Sequence, residues 1–450
     1  MNPRGTRVLR LDALARVEGE AALHLRVQDG SVTETRLRIY EPPRFFEALL
    51  TGRSHTEPPD ITSRICGICP VAYQMSACQA IENACGVTVD GSLADLRRLL
   101  YCGEWIESHA LHIYLLHAPD FLGRADVVEL ARDQRAAVER GLRIKQTGNA
   151  ILEQLGGRPV HPVNVRIGGF YRTPAPDELQ SLTEQLRHAR EDALETVRWV
   201  AAFDFPDARC EHALFALRDP GRYAIDSGTP TVIDPAPGEI PLPGLEFPLS
   251  EFEEHVREEQ VPHSTALTAA LDGRRFLTGP LARYAISGRW LHPVAADAAR
   301  DAGLGDPGVG AVCDNPFRSI VVRAVEVVQA VEEALRIIDG YAPPPRPAVE
   351  VPPSESVGVG ATEAPRGLLY HRYALAEDGT LTGARIIPPT AQNQTAIEED
   401  VRRAVQSRLD RDGSDAEDEE LTHLCERAIR NHDPCISCAA HFLDMTVERT

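Results

Sequence analysis

Apolar residues alternate at Leu23, Leu25 and Val27, pause at Asp29-Gly30, and resume at Val32, Leu37 and Ile39. A period of two on either side of a turn dipeptide that tolerates positive φ predicts a β-hairpin. A second hairpin is expected over Leu368–Ile386, around Asp378-Gly379, with Leu381 opening its return strand. Between the hairpins the period becomes helical. Ile320, Ala324, Val327, Val331, Leu335 and Ile338 recur at steps of three or four, which puts them on one face. Asn315 is a good N-cap, Pro316 suits the first helical position and Gly340 follows as a stop, so a helix is expected from Asn315 to Asp339. It reads as a core helix carrying no chemistry. Leu99–Leu116 reads as a second long helix, apolar around more of its circumference.

Two proline-rich tracts, Thr229–Pro248 and Tyr341–Pro353, are not expected to continue a helix or a central strand and should cross the surface. The acidic stretch Asp410–Glu420 reads as a solvated loop or helix face. Helices predominate, and the fold class expected is mainly α with small β-sheets, α+β. Gly303-Leu304-Gly305-Asp306-Pro307-Gly308 spells a dinucleotide fingerprint, but no apolar strand precedes it and Pro307 interrupts the loop. A nicotinamide, if used, should bind another subunit.

A chain of 450 residues can bury a large core in one elaborate domain or two packed ones. Its net charge of -20 argues against a nucleic-acid partner, which needs clustered Lys and Arg. No run of about 18 apolar residues is available to span a membrane. Residues 1 to 20 carry Arg4, Arg7, Arg10, Asp12 and Arg16 without an apolar core, which is not a secretory signal, so a cytoplasmic location is expected. There the ten cysteines would stay reduced, and metal or redox work is a better reading than disulfides.

Chemistry concentrates in two cysteine pairs. In Arg64-Ile65-Cys66-Gly67-Ile68-Cys69-Pro70, two thiols two residues apart can face one soft metal while Gly67 lets the backbone turn closely. Alone, such a pair equally fits a thioredoxin-like dithiol or half of a zinc site. The second lies in Asp433-Pro434-Cys435-Ile436-Ser437-Cys438-Ala439-Ala440-His441. Hundreds of residues separate the pairs, whereas a zinc ribbon spaces them by about 15 to 20.

Together, in this order and at these ends of the chain, the two motifs resemble the signature motifs of the nickel-iron hydrogenase large subunit. Weaker likenesses lie between them: Arg16-Val17-Glu18-Gly19, Gly156-Gly157-Arg158-Pro159-Val160-His161-Pro162, and Ala364-Pro365-Arg366-Gly367. The resemblance thus covers nearly the whole chain. It implies one large-subunit domain over residues 1–450, with a long-helix bundle at the core and hairpins at the periphery. Residues 442–450 would be a maturation peptide, removed by a dedicated endopeptidase once a chaperone has helped insert nickel.

The resemblance further implies nickel on Cys66, Cys69, Cys435 and Cys438, with Cys69 and Cys438 bridging to an iron that carries carbon monoxide and cyanide. Splitting dihydrogen heterolytically needs a home for the hydride, which the metals provide, and a base for the proton. Cys435 would take the proton first and Glu18 would relay it outward; the plainer alternative makes Glu18 a salt-bridge partner of Arg16. Arg366 would lie over the open metal face with Asp433 pairing to it, and Pro365 and Thr390 would line the cofactor. Glu47, the backbone of Gln394 and His441 match a magnesium site.

Tyr73 and Ser108 stand where many members carry histidine and aspartate, which makes the chain most like the soluble, bidirectional NAD(P)-linked and sulfhydrogenase alpha-subunit members. Cys78, Cys85, Cys102, Cys210, Cys313 and Cys425 show no iron-sulfur spacing. Electrons would therefore leave through an iron-sulfur small subunit, then flavin-containing diaphorase subunits and NAD(P). A non-catalytic relative in a respiratory complex and a zinc-stabilised structural protein are the competing readings.

Overall fold

In the computed structural model, residues 6–234, 244–412 and 416–440 are described, apart from the side chain of Asp412. The first expected hairpin is there and gains a strand. Strands β1 (Thr6–Leu11), β2 (Ala21–Gln28) and β3 (Ser31–Ile39) form an antiparallel sheet in that order. Asp29 and Gly30 both have positive φ, 50° and 83°, as a tight two-residue turn requires. Leu23, Leu25, Leu37 and Ile39 are buried. In β1 only Leu9 is fully buried, so no alternation advertises that strand.

Four long helices make the centre: α2 (Gly91–Leu111), α3 (Arg135–Gly156), α4 (Thr183–Ala201) and α6 (Ser319–Asp339). Of these, α2 packs against α3 and α6, and α4 packs against α6 and α3. Asn315 caps as expected, its side chain accepting from the Phe317 N–H at 3.0 Å. The cap serves a 3-10 turn, Pro316–Arg318, before α6 begins. The one-face expectation for α6 is too narrow. Val321, Val322, Val325 and Val328 are as buried as Ile320 and Val327, because the helix is enclosed on several sides. The second helix starts at Gly91, eight residues before Leu99. After Leu111 it gives way to a π-helical turn, His112–His117.

The proline-rich tract from Thr229 is a correction. β5 (Thr229–Ile233) lies between β4 (Ala213–Arg218) and β6 (Leu245–Glu246), with β7 (Phe276–Leu277) beyond β4. Pro230 is tolerated there because its carbonyl accepts from Phe247, which turns its N-substituted side towards the short β6 edge rather than β4. Residues 235–243 of the tract lie outside the described residues. Tyr341–Pro353 does cross the surface without helix or strand. Gly303–Gly308 is a turn between two short helices, in which Asp306 caps the Gly308 N–H.

Three further antiparallel strands, β8 (Ser356–Ala364), β9 (Gly367–Leu375) and β10 (Leu381–Ile387), contain the second expected hairpin, turning near Asp378-Gly379. β8 is hidden in the sequence by Gly358 and Gly360. Helix α1 (Pro70–Ala84) lies directly on them: a Cβ at Gly358 would meet the Ala80 carbonyl at 2.1 Å, and one at Gly360 the Ala80 nitrogen at 2.6 Å. The chain then runs through α5 (Pro280–Ser287, before α6), α7 (Pro389–Asp412), α8 (Asp418–Arg430) and the short α9 (Ile436–Ala439). The acidic stretch is the end of α7 and the exposed start of α8, with 413–415 outside the described residues. The result is mainly α with small sheets, and no helix among the described residues is long and apolar enough to cross a membrane.

Buried ion pairs tie the bundle together. Arg98 on α2 meets Glu333 on α6 and Asp226 at 2.5 Å each. Burial raises the Glu333 carboxyl pKa, but Arg336 and Arg98 outweigh it and hold the group at about 2. A depressed carboxylate stabilises the fold fully above its ordinary value of 4.5, and that share is lost as pH falls towards 2. Glu333→Gln should therefore lower the thermal midpoint at pH 7 by an amount equivalent to about 1–2 kcal/mol after solvent screening. Its gap from the parent should narrow as pH falls from 4.5 to 3, as read by calorimetry at both pH values; a pH-independent gap would contradict the assignment.

Candidate metal centre

The first cysteine pair sits where a 3-10 turn, Ser63–Ile65, meets the start of α1. Cys66 is extended, and Cys69 is the residue before helical Pro70, which needs no N–H there. The loop closes on itself: the N–H groups of Ile68 and Cys69 point at Cys66 Sγ, at 3.3 and 3.4 Å. The next two helix donors, Val71 N and Ala72 N, are taken by the buried Glu104 carboxylate from α2, at 2.6 and 3.1 Å. A carboxylate at a helix N-terminus also complements the helix dipole.

The second pair is held by other elements. The Cys435 N–H donates to Thr390 Oγ1 at 2.9 Å, and Ile436 N donates to the Glu18 carbonyl at 3.0 Å. Arg44 then joins the motifs, its Nη2 donating to the carbonyls of Ile65, at 2.7 Å, and Ser437. Asp400 lies between His212 and His432, at 2.8 and 3.0 Å, and so braces the segment entering the motif.

These supports bring the four sulfurs within 4.8 Å of one another, each cysteine being at most 3% exposed. The shortest separations are 2.7 Å for Cys435–Cys438, 3.4 Å for Cys66–Cys435 and 3.9 Å for Cys69–Cys438. Thiolates about 2.3 Å from a common metal lie about 3.3–3.8 Å apart, close to the Cys66–Cys435 and Cys69–Cys438 separations, while Cys435 and Cys438 stand closer than that. Among the described residues, this is the one group of three or more Cys, His, Asp or Glu side chains gathered closely enough to hold a metal. The four sulfurs compete for charge. Burial, reinforced by neighbouring sulfurs, pushes Cys435 and Cys438 well up, while hydrogen bonds from the thiols of Cys435, Cys438 and Cys69 pull Cys66 well down. Coordination is what lets all four ionise together.

Around the sulfurs stand most of the residues expected from the sequence. Glu18 is not a partner of Arg16, which instead pairs with Asp120 and donates to the Leu116 carbonyl. The Glu18 Oε2 lies 3.0 Å from Cys435 Sγ and accepts from Ser437 N at 3.1 Å. Arg366 is buried, donating Nε to the Asp433 carbonyl at 2.8 Å and Nη2 to the Asp433 carboxylate at 3.2 Å. Its Nη1 has no hydrogen-bond partner among the described residues. Attraction to Asp433 and then Cys435 and Cys69, working against burial, raises the Arg366 pKa further. Asp433 itself has φ 50°, a conformation that costs a non-glycine residue energy and marks a position fixed by its surroundings. Pro365 is buried beside Arg366, and Thr390 reaches the site through the Cys435 N–H.

The sequence profile described as nickel-dependent hydrogenase matches residues 44–147 and 319–441, half of the chain and both cysteine pairs. The chain belongs to the nickel-dependent hydrogenases. Sulfhydrogenase 1 subunit alpha of Pyrococcus furiosus is 33% identical over 439 residues, covering 96% of this chain and 97% of that one. Sulfhydrogenase 2 subunit alpha from the same organism is 32% identical, covering 97% and 100%. The solved structure of an NAD+-reducing nickel-iron hydrogenase in its H2-reduced state superposes with a TM-score of 0.85 at 26% identity, covering 97% and 99%. Membership of a nickel-dependent family, together with this buried four-cysteine group, supports a nickel-iron centre in this hydrogenase and a catalytic role over the non-catalytic reading.

Of the magnesium set, Glu47 is half-buried with Oε1 accepting from Ile386 N at 2.7 Å, and the Gln394 side chain donates to the Leu37 carbonyl at 3.1 Å. His441 lies outside the described residues. Sequence reading missed Arg44, Asp400 and Glu104. None of these left a local signal, since even Glu104 shares its helix with Asp95, Arg97, Arg98 and Glu107. Glu104→Leu would leave two buried N–H groups at the start of α1 without acceptors, each costing about 1–3 kcal/mol. Lower nickel occupancy and a lower unfolding midpoint are expected; parental values for both would refute its role as the cap.

Proposed function

We propose that this chain is the catalytic subunit of a hydrogenase that splits and forms dihydrogen reversibly and passes electrons through partner subunits to NAD(P). The observation that carries the catalytic part is the 3.0 Å approach of Glu18 Oε2 to Cys435 Sγ inside a buried four-thiolate group. When bound, the nickel-iron pair supplies a redox-active Lewis acid at which dihydrogen is polarised. In this reading Cys66, Cys69, Cys435 and Cys438 would hold nickel, and Cys69 and Cys438 would also hold iron.

Cys435 Sγ then receives the proton and hands it to Glu18 Oε2. Arg366, fixed by Asp433, keeps Nη1 available for a small anionic acceptor, which suits cyanide on iron. Thr390 and Pro365 would line the same cofactor, whose iron would carry carbon monoxide as well as cyanide. Glu47, the Gln394 backbone and His441 would hold magnesium.

The six other cysteines support delegated electron transfer: among the described residues none joins a metal-binding group. An iron-sulfur small subunit followed by flavin-containing diaphorase subunits would serve. The match to an NAD+-reducing enzyme favours NAD(P) as the end acceptor, and the names of the Pyrococcus furiosus relatives mark them as subunits too. A cytoplasmic location fits this chemistry. Residues 442–450 would be removed after nickel insertion with chaperone help, so the mature chain should end at His441 by mass spectrometry; a mature chain retaining Thr450 excludes cleavage.

The complex purified from its own host should contain about one nickel per copy of this chain, with iron in excess of nickel because of the partners' clusters, and show carbon monoxide and cyanide infrared bands. Zinc in place of nickel, without those bands, would end the catalytic reading. Glu18→Gln should keep the metals and bands yet lose about 100-fold or more in hydrogen oxidation. A variant with parental rate removes Glu18 from the relay.

A further inference from the structure

Arg366 occupies the tip of a tight hairpin. Ala364 ends β8, Gly367 begins β9, the two residues pair, and Pro365-Arg366 form the loop between them. Such tips normally lie at the surface, where their carbonyls meet water. This one is buried, so its outward carbonyls need protein donors.

Arg283, on α5, provides them. It is fully buried, and a guanidinium has five N–H donors. Nη1 donates to the Ala364 carbonyl at 2.9 Å and to Glu363 at 3.2 Å. Nη2 donates to the Pro365 carbonyl at 2.9 Å and to Glu326 at 2.8 Å, and Nε donates to Glu326 at 2.7 Å. Every donor is used, and two of them go to the carbonyls immediately before Arg366.

The guanidinium is itself constrained. It lies over the Trp105 ring, 4.5 Å from the centroid. Glu326 is fixed in turn by Tyr223, whose hydroxyl donates at 2.8 Å, and faces His109 Nε2 at 2.9 Å. Glu363 Oε1 accepts from Leu217 N at 2.7 Å. The backbone leaves little slack either: Gly279 passes so close that a Cβ there would meet the Arg366 carbonyl at 2.8 Å.

We propose that Arg283 is a positioning residue for hydrogen activation, holding the backbone of the hairpin tip so that Arg366 keeps its place against Asp433 with Nη1 unclaimed by other protein groups. Asp433 fixes the guanidinium end of Arg366; Arg283 fixes the main-chain end. The inference rests on the reading of Arg366 given under Proposed function. Lysine cannot replace Arg283, since three donors on a point charge cannot serve two carbonyls and a two-pronged carboxylate contact together.

The test uses the assembled complex, with infrared bands, nickel content and hydrogen oxidation measured for R283K, R366K and the double variant. R283K should retain nickel, shift the cyanide bands and lose about 100-fold in rate, the scale of a small misplacement. The double variant should be no worse than R366K alone within about twofold, because residues acting through one another are not additive. Band shifts in R366K but none in R283K, or losses that multiply, overturn the role of Arg283. Unmoved bands and rate in R366K would instead overturn the reading of Arg366. Should R283K fail to assemble, E363Q weakens only the Nη1 contact with Glu363 and should shift the same bands by less; unchanged bands in that variant also overturn the proposal.

Discussion

Four thiol sulfurs gathered within 4.8 Å in a dry interior cannot all carry charge unless a cation sits among them. Most of the molecule around them can be understood as meeting that constraint. Burial and the neighbouring sulfurs push the Cys435 and Cys438 thiols well up, which expresses that constraint at two of the four positions. A metal removes the conflict, and the fold keeps the four sulfurs gathered for it. Because the pairs come from opposite ends of the sequence, that requires contacts between distant segments, and Arg44 and the Glu18 backbone supply the nearest ones.

The same economy recurs outward from the centre. The chain is acidic overall, yet Arg98, Arg283, Arg323 and Arg430 are among its largest fully buried side chains. Arg98, Arg283 and Arg430 neutralise carboxylates, and all four also donate to main-chain carbonyls, of Tyr223 for Arg98, Asn431 for Arg323 and Ala15 for Arg430. A planar guanidinium suits that double task because its donors point in fixed directions. The long bundle helices supply rigidity, and the arginines secure the irregular segments between them that carry the chemistry.

How much of this was legible in the sequence depended on whether a residue advertised itself locally. Both hairpins declared themselves through alternation and Asp-Gly turns, and the cap of α6 through Asn315-Pro316. The cysteine pairs stood out because two thiols at fixed spacing have few uses, and their order along the chain carried the family. β1 and β8 were hidden for opposite reasons, β1 because only one of its side chains is fully buried and β8 because its glycines make room for the α1 backbone. The proline tract misled because the nitrogen side of Pro230 faces the end of the short β6 rather than β4, so the β4–β5 ladder loses no hydrogen bond.

Arg44, Glu104, Asp400 and Arg283 could not be singled out from sequence, since each acts on a segment distant along the chain and none lies in a motif. A lone charged residue in a helix is usually solvated, and only burial turns it into an obligation. Once Glu104 is known to be buried, its acceptors must be matched with donors, and the unsatisfied N–H groups at the start of α1 are the ones within reach. The same reasoning applies to Arg283, whose five donors leave no freedom once Glu326, Glu363 and two carbonyls have taken them. Sequence motifs thus name the groups that meet the metals, while hydrogen-bond accounting in the buried interior names those that hold them in place.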